Sequence, residues 1–177
     1  MVDFNKLQRG STITGEAGPD ATEEVLISKE TAGQITGAFT YWLSQKVQKN
    51  PIMLNICVGR DDNPLAEEAE EGVFEAIALW GAGIHDAGVA TCEAVSKAPV
   101  LPCFEIDGSI MLAAEEKEKS MLTFRLFNPE GEPSEVEVQE ILRLASRYNF
   151  IGGEYEKEDI NLMQMYNMYA SRDPNFR

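Results

Sequence analysis

The sequence predicts an α/β protein, a three-layer α/β/α sandwich around a mixed sheet of about four strands. Apolar runs of strand length alternate along the chain with longer segments whose apolar residues recur at helical spacing. The helical segments are long enough to cover both faces of a sheet, and this alternation favours helices on both sides of it.

The first half of the chain contains two helix–strand units. Ser28 is a suitable N-cap for a helix from about Lys29 to Lys49, in which apolar residues recur at helical spacing. A helix-breaking proline follows, and Ile52 to Val58 is an apolar run typical of a buried strand. A second helix begins after Pro64, and Ile84 to Ala87 is a short strand.

The second half of the chain adds further strands and helices. A helical segment begins at Thr91. Two candidate strands follow, Gly108 to Ala114 and Met121 to Phe127, with a polar loop between them. Ser134 and Glu137 have the spacing of a capping box, which predicts the start of another helix.

We expect one α/β/α domain over residues 1–150, followed by a linker and a C-terminal helix over residues 151–177. Residues 10–24 are rich in Gly, Thr, Pro and acidic residues, which predicts a loop. The final helix spans about Ile160 to Ser171 and contains a group of apolar and aromatic residues: Met163, Met165, Tyr166, Met168 and Tyr169. Because methionine adapts to varied surfaces, this helix either covers an edge of its own sheet or docks on another protein.

The charge balance restricts the possible partners. There are 30 acidic and 15 basic residues, a net charge of -15. Such a surface repels nucleic acid and anionic lipid headgroups, and it repels phosphorylated sugars unless a local basic pocket compensates. We therefore expect no nucleic-acid partner, and either a well-solvated surface or docking to a basic protein.

Cysteine usage and hydropathy favour a soluble intracellular protein. No apolar run approaches the ~20 residues of a membrane span, and the first ten residues lack the apolar stretch of a signal peptide. Cys57, Cys92 and Cys103 form no CxxC pair, and their apolar neighbours favour reduced thiols. With His85 as the single histidine, we expect no zinc site.

Two pairs of polar residues are candidate functional groups. Arg60 and Asp61 follow a predicted strand, at the edge where α/β sheets bind ligands. They either position an anion or substrate, or they fix the strand–helix turn. His85 and Asp86 are either an acid–base pair or structural residues, and no nucleophile is placed beside them.

The polar loop between the two later strands contains Glu115 and Glu116. A strand that leads into an exposed loop is a good position for a nucleophile, but this loop has no Cys, His or Thr, and Ser120 has no adjacent base. Two neighbouring carboxylates are a weak cation site, which Lys117 and Lys119 oppose. The alternative is a solvated turn of mixed charge.

Five segments carry a family resemblance. Leu7 to Gly15 (LQRGSTITG) is similar to an LQNGSDIRG opening, and Val58 to Asp61 is similar to the strand end VGRDSR. Gly83 to Thr91 is similar to G-x-x-V-x-D-x-G-x-x-x-T, and Gly108 to Phe127 to GGIMITASHxPxxxNGxKFF. Glu154 to Tyr169 is similar to a linker into a second domain. Together they resemble the N-terminal domain of the α-D-phosphohexomutases, the phosphoglucomutase/phosphomannomutase family, over nearly the whole chain.

The resemblance implies a specific reaction and a specific loss. In the family, a phosphoserine of the TASH loop gives its phosphate to a hexose phosphate, and the phosphoserine and a second-domain loop hold magnesium. Glu115 stands at the phosphoserine position and Glu116 at the histidine. Thr14 replaces an arginine of the opening, and Asn63 replaces the second arginine of VGRDSR.

Of the family's site, Arg60 and Asp61 remain as a vestigial phosphate or substrate loop. The resemblance therefore implies no catalytic residue and, with the magnesium site incomplete, no cofactor. We expect a non-catalytic protein that serves as a binding or assembly subunit of a larger complex. The alternative is a residual phosphohexomutase of carbohydrate metabolism, and a sugar-phosphate sensor is a weaker third possibility. Analogy with plastid and cyanobacterial-type members suggests the cytoplasm or a plastid stroma.

Overall fold

The computed structural model describes residues 1–114, 120–173 and 176, in which one mixed sheet of seven strands has helices on both faces. The strands are β1 (Gln8–Arg9), β2 (Thr12–Glu16), β3 (Asn55–Arg60), β4 (Gly83–Val89), β5 (Gly108–Ala114), β6 (Met121–Phe127) and β7 (Glu158–Asp159). The helices are α1 (Lys29–Val47), α2 (Pro64–Leu79), α3 (Cys92–Lys97), α4 (Glu135–Ala145) and α5 (Leu162–Arg172). The predicted α/β class with a mixed sheet is confirmed.

The strands lie in the order β1-β2-β6-β5-β3-β4-β7. The neighbours β5, β3, β4 and β7 run parallel, whereas β6 is antiparallel to both β5 and β2, and β1 is antiparallel to β2. Arg60 at the end of β3 pairs with Val89 of β4 and with Leu112 of β5. The carboxyl ends of these three strands therefore meet at one edge, the usual ligand-binding edge of such sheets.

Each face of the sheet has its own hydrophobic core. Alternate residues of a strand point to opposite faces, so Ile56 and Val58 enter the core beneath α1, α2 and α4, whereas Cys57 enters the core beneath α3 and α5. The first core is the larger, and Phe39 and Phe124 are fully buried in it. Three layers result, as the sequence predicts.

Helices α1 and α4 begin at the capping residues that the sequence predicts. The Ser28 side chain accepts a hydrogen bond from the Thr31 N–H at the start of α1. Both hydrogen bonds of the Ser134–Glu137 capping box form at the start of α4. Each of these caps satisfies backbone donors that the first helical turn cannot pair internally.

The predicted number of strands, about four, is wrong, because β1, β2 and β7 were not predicted. The predicted loop over residues 10–24 contains β2, which pairs with β6, and Gly15 is needed there because a Cβ atom would lie 2.5 Å from the Val25 carbonyl oxygen. The predicted strand from Ile52 begins instead at Asn55, since Pro51–Met53 forms a 3-10 turn. Ile52 is 65% exposed in that turn.

The chain that follows α4 crosses the outer surface of α1. Gly33 and Gly37 lie one helical turn apart on the same face of α1. A Cβ atom at Gly33 would lie 2.6 Å from the Phe150 ring, and one at Gly37 would lie 2.2 Å from the Tyr148 ring. The two glycines therefore allow this segment to pack directly against the helix backbone. The Tyr148 ring also stacks on Trp80, with 6.2 Å between the ring centroids.

Candidate functional site

Arg60 lies at the carboxyl edge of the sheet, as the sequence predicts, and among the described residues its guanidinium contacts Asp61 and Glu70. Its Nη1 donates to the Asp61 carbonyl oxygen at 3.0 Å, and its Nε lies 3.4 Å from Glu70 Oε1 on α2. The Arg60 side chain is 18% exposed. The positive charge is thus directed mainly into the protein, toward a buried carboxylate.

Glu70 and Asp86 are buried carboxylates, and each lies close to a less buried cation, Arg60 or Lys157. Burial and the negative charge of Asp86 raise the pKa of Glu70 to about 7, while Arg60 and Lys157 oppose the rise. Lys157 Nζ lies 2.5 Å from Asp86 Oδ2. Two carboxylates and two cations therefore share this volume, and each cation offsets the cost of burying a carboxylate.

Asp61 joins the ends of β3 and β5. Its backbone N–H donates to the Leu112 carbonyl at 3.0 Å, and its carboxylate accepts from the backbone N–H groups of Asn63 at 3.1 Å and Ala114 at 2.7 Å. Both carboxylate oxygens are engaged in these backbone contacts. Asp61 is therefore a positioning residue, which fixes the last residue of β5 directly before the polar loop.

Thr14 and Asn63, which the resemblance aligns with arginines of the family, have structural contacts. The Thr14 hydroxyl lies 3.1 Å from the Thr123 hydroxyl on the neighbouring strand. The Asn63 side chain accepts from the Leu65 N–H at 2.9 Å and caps α2. Neither residue brings a positive charge to the carboxyl edge.

A surface cavity of about 280 Å³ lies beside the polar loop and reaches Ser120. Its lining includes the carboxylates of Glu16 and Asp20, together with apolar groups such as Leu65. No Lys or Arg belongs to its lining among the described residues. A phosphorylated ligand would therefore meet charges of its own sign here.

Glu115 and Glu116, which the resemblance aligns with the family's phosphoserine and histidine, lie outside the described residues. In the described parts of the chain, no group of three or more His, Cys, Asp or Glu side chains is arranged to hold a metal ion. The Asp61 carboxylate contacts Ala114, the last residue of β5, and both its oxygens already accept backbone N–H groups. The described residues of this edge do not fit the octahedral oxygen shell that magnesium requires.

His85 and Asp86 do not form an acid–base pair. His85 Nε2 lies 3.0 Å from Asn55 Oδ1, and its Nδ1 lies 3.5 Å from Glu158 Oε2. The Asp86 carboxylate instead accepts from the Gly88 N–H and from Lys157. The partners of His85 lie on the neighbouring strands β3 and β7, whereas those of Asp86 lie on β4 itself and directly before β7.

The cysteines are free in the described structure, and Cys57 is buried. Burial raises the pKa of the Cys57 thiol to about 12. A protonated buried thiol is a poor nucleophile.

The C-terminal helix α5 packs on α3 of its own domain. Tyr166 is buried in the second core together with Leu162 and Ala170. The other residues of the predicted partner surface are half-buried: Met163, Met165, Met168 and Tyr169. Of these, Met163 and Tyr169 pack against the second core. The helix covers its own domain through one face and leaves Met165 and Met168 partly accessible.

Sequence reasoning missed the buried group of charges. One signal was present, because Glu70 lies at helical spacing from Ala66, Val73 and Ile77, on the apolar face of α2. A carboxylate on an apolar face predicts a buried cation partner. Nothing in the sequence identified Lys157, about ninety positions further along the chain, as one of these partners.

Fold and site together define an α/β/α domain whose carboxyl edge keeps an arginine and a loop-fixing aspartate. The sequence matches the family described as phosphoglucomutase/phosphomannomutase, alpha/beta/alpha domain I, over residues 7–151. The chain belongs to this family, within its first domain. No curated protein matches the sequence significantly.

Solved structures with this fold include two family proteins. A phosphoglucomutase/phosphomannomutase family protein from Burkholderia thailandensis superposes with a TM-score of 0.66 at 15% identity, over 97% of this chain and 36% of that one. A structure assigned as a phosphomannomutase from Thermus thermophilus superposes with a TM-score of 0.72 at 17% identity, over 96% of this chain and 37% of that one. The chain thus spans little more than a third of the length of these proteins. Among the described residues, no helix has the length and apolar character needed to cross a membrane.

Proposed function

We propose that this chain is a catalytically inactive phosphohexomutase domain that serves as a binding or assembly subunit of a larger protein complex. The observation that carries the proposal is Glu115, which follows the strand end that Asp61 fixes and stands where the family has its phosphoserine. A glutamate has no hydroxyl to carry the phosphate, and its own negative charge repels a phosphoryl donor.

The charges around the loop support this proposal. Phosphoryl transfer depends on cations that neutralise the transferring group. Arg60 is directed to Glu70, and Thr14 and Asn63 stand where the family has arginines. The neighbouring cavity adds carboxylates of Glu16 and Asp20. All these features weaken the binding of a hexose phosphate.

The accessible side of α5 is the surface that we propose for a partner protein. Met165 and Met168 remain half-exposed after α5 has docked on α3. Methionine side chains adapt to an opposing surface, and the net charge of -15 favours a partner with a basic rim around this contact.

Catalysis is tested with the purified chain in a coupled assay for conversion of glucose 1-phosphate to glucose 6-phosphate. We expect no turnover and no covalent phosphate after incubation with labelled glucose 1,6-bisphosphate. The variant Glu115→Ser tests whether the hydroxyl alone is missing, and we expect it to stay inactive because the cations are missing too. Turnover or covalent phosphate in the unaltered chain would establish the alternative, a residual phosphohexomutase.

Assembly is tested by native mass measurement of the tagged chain isolated from its own cells. We expect a complex that the double variant Met165→Glu, Met168→Glu disrupts. The control is Val136→Glu, because Val136 is 74% exposed on α4, and it should leave the complex intact. A chain that is always monomeric, or a complex that both variants leave unchanged, would contradict the assignment of this surface.

A further inference from the structure

A short segment connects the two faces of the domain, and we name residues 153–160 the strap. It follows Gly152 and passes the side of α2, where the Tyr155 hydroxyl donates to Glu71 at 2.8 Å and its ring packs on Phe74. It then runs beside β4 as β7 and leads into α5 on the opposite face. The strap is the covalent connection that brings α5 to α3.

Backbone pairing alone holds the strap weakly. Two register pairs join β7 to β4, and the Ile160 N–H adds a hydrogen bond to the Asp86 carbonyl at 2.9 Å. At the beginning of the strap, Gly153 is exposed, and a Cβ atom placed on it would have no atom within 4 Å. Gly153 is therefore free to act as a hinge, since nothing packs against it and glycine permits a wide range of backbone angles.

Lys157 supplies the strong contact of the strap. Its ammonium lies 2.5 Å from Asp86 Oδ2 and 3.0 Å from Asp159 Oδ1, and it lies over the Phe74 ring. Asp86 is 8% exposed and faces Glu70, which is equally buried. If Lys157 left, these two carboxylates would remain together with Arg60 as their cation. An uncompensated buried charge of this kind is strongly unfavourable.

We propose that Lys157 is a latch, whose ion pair with Asp86 keeps the strap on the sheet edge and α5 on α3. When the latch opens, the strap, with its strand β7, and α5 leave together as one unit, while strands β1 to β6 and the larger core stay folded. Opening uncovers the part of the second core that α5 closes through Leu162, Tyr166 and Ala170, together with the surface of α3 that α5 contacts. The latch therefore controls access to a surface of α3, which is different from the surface of α5 that carries the partly accessible Met165 and Met168.

The two cores explain why opening is local. The residues of α5 that are buried, Leu162, Tyr166 and Ala170, all belong to the second core. The larger core contains none of them, although Tyr155 of the strap packs against it, and its helix α1 contacts both α2 and α4 without α5. Parts of a protein with few buried contacts open at lower free energy than the core strands do.

The test is amide hydrogen exchange, followed by mass spectrometry on the full chain, for Lys157→Met. We expect exchange in residues 158–172 to accelerate at least tenfold, while exchange in β5 is unchanged. Lys157→Arg keeps the charge and should retain the protection of α5. The matched control is Lys29→Met, which removes a different ion pair of α2, with Glu75 at 2.7 Å. In this control variant, the exchange rates of α5 and β5 should differ by the same factor as in the unaltered chain.

Two results would overturn the latch. One is unchanged exchange of α5 in Lys157→Met, which would show that the ion pair does not hold the strap. The other is an increase in the exchange rates of α5 and β5 by the same factor, which includes the case of a variant that does not fold. This would show that α5 does not open as a separate unit.

Discussion

Replacing Gly37 by alanine sets two opposing effects of known size against each other. In the interior of a helix, glycine to alanine is expected to stabilise by about 1 kcal/mol through backbone entropy. Here the new Cβ atom would lie 2.2 Å from Cε1 and 2.3 Å from Cζ of Tyr148. Since carbon atoms pack at about 3.5–4.0 Å, the ring must move by roughly 1.5 Å.

The displaced Tyr148 ring determines whether Gly37→Ala raises or lowers the free energy of unfolding. Tyr148 would lose its stacking on Trp80, worth about 0.5–1.5 kcal/mol, and overpacking of this kind costs about 1–3 kcal/mol. After subtraction of the gain in helix propensity from the sum of these two costs, we expect Gly37→Ala to lower the free energy of unfolding by about 0.5–3.5 kcal/mol. Gly72→Ala should cost more, because its Cβ would lie 2.0 Å from the backbone oxygen of Lys29, which cannot rotate away.

The assay is urea unfolding followed by far-UV circular dichroism, a signal that does not depend on the local surroundings of Trp80. The decisive comparison places Gly37→Ala in a Tyr148→Ala background, where the clash is gone and alanine should stabilise by about 1 kcal/mol. If Gly37→Ala has the same effect in both backgrounds, the ring does not oppose the new methyl group and the reasoning is refuted.

Two further predictions concern Ser134 and Glu70. Ser134→Ala removes the acceptor of the Glu137 N–H and should cost about 1 kcal/mol in urea unfolding, whereas Ser134→Asp should retain most of the stability. The raised pKa of Glu70 means that folding favours its protonated form, so stability should fall as pH rises from about 4.5 to about 7. Glu70→Gln should remove this pH dependence. Its free energy of unfolding should exceed that of the unaltered chain by on the order of 3 kcal/mol at pH 8, and the two should differ little near pH 4.5. Glu75→Gln, on the same helix, should leave the slope in place, and a profile unchanged by Glu70→Gln would contradict the assignment.

Elements with local signals were predictable from the sequence. The strands Gly108–Ala114 and Met121–Phe127 have the predicted bounds, because the first is a mainly apolar run and the second alternates apolar with polar residues, and polar residues flank both. The capping box at Ser134 forms for the same reason. By contrast, β2 pairs with β6 across more than a hundred residues, and its Thr and Gly residues resemble a loop. Its strand conformation comes from a partner that no local window contains.

In the candidate site, the positions of residues could likewise be predicted from the sequence, whereas their contacts could not. Position along a strand was enough to place Arg60 and Asp61 at the carboxyl edge. Their partners were not predictable, because Ala114 follows Asp61 by more than fifty residues and the contact depends on the pairing of β3 with β5. The conversion of Arg60 from a ligand-binding candidate into a partner of Glu70 likewise depends on the packing of α2 against the sheet.

The two margins of the sheet limit how another protein can attach. β1 and β7, which form these margins, are each two residues long. A strand added from outside requires a row of unpaired backbone groups, and so short a template offers very few. Recruitment by backbone-to-backbone pairing is thereby discouraged, and a companion molecule must recognise side chains presented by the helical layers. Variation in those side chains can then change the choice of companion without altering the scaffold.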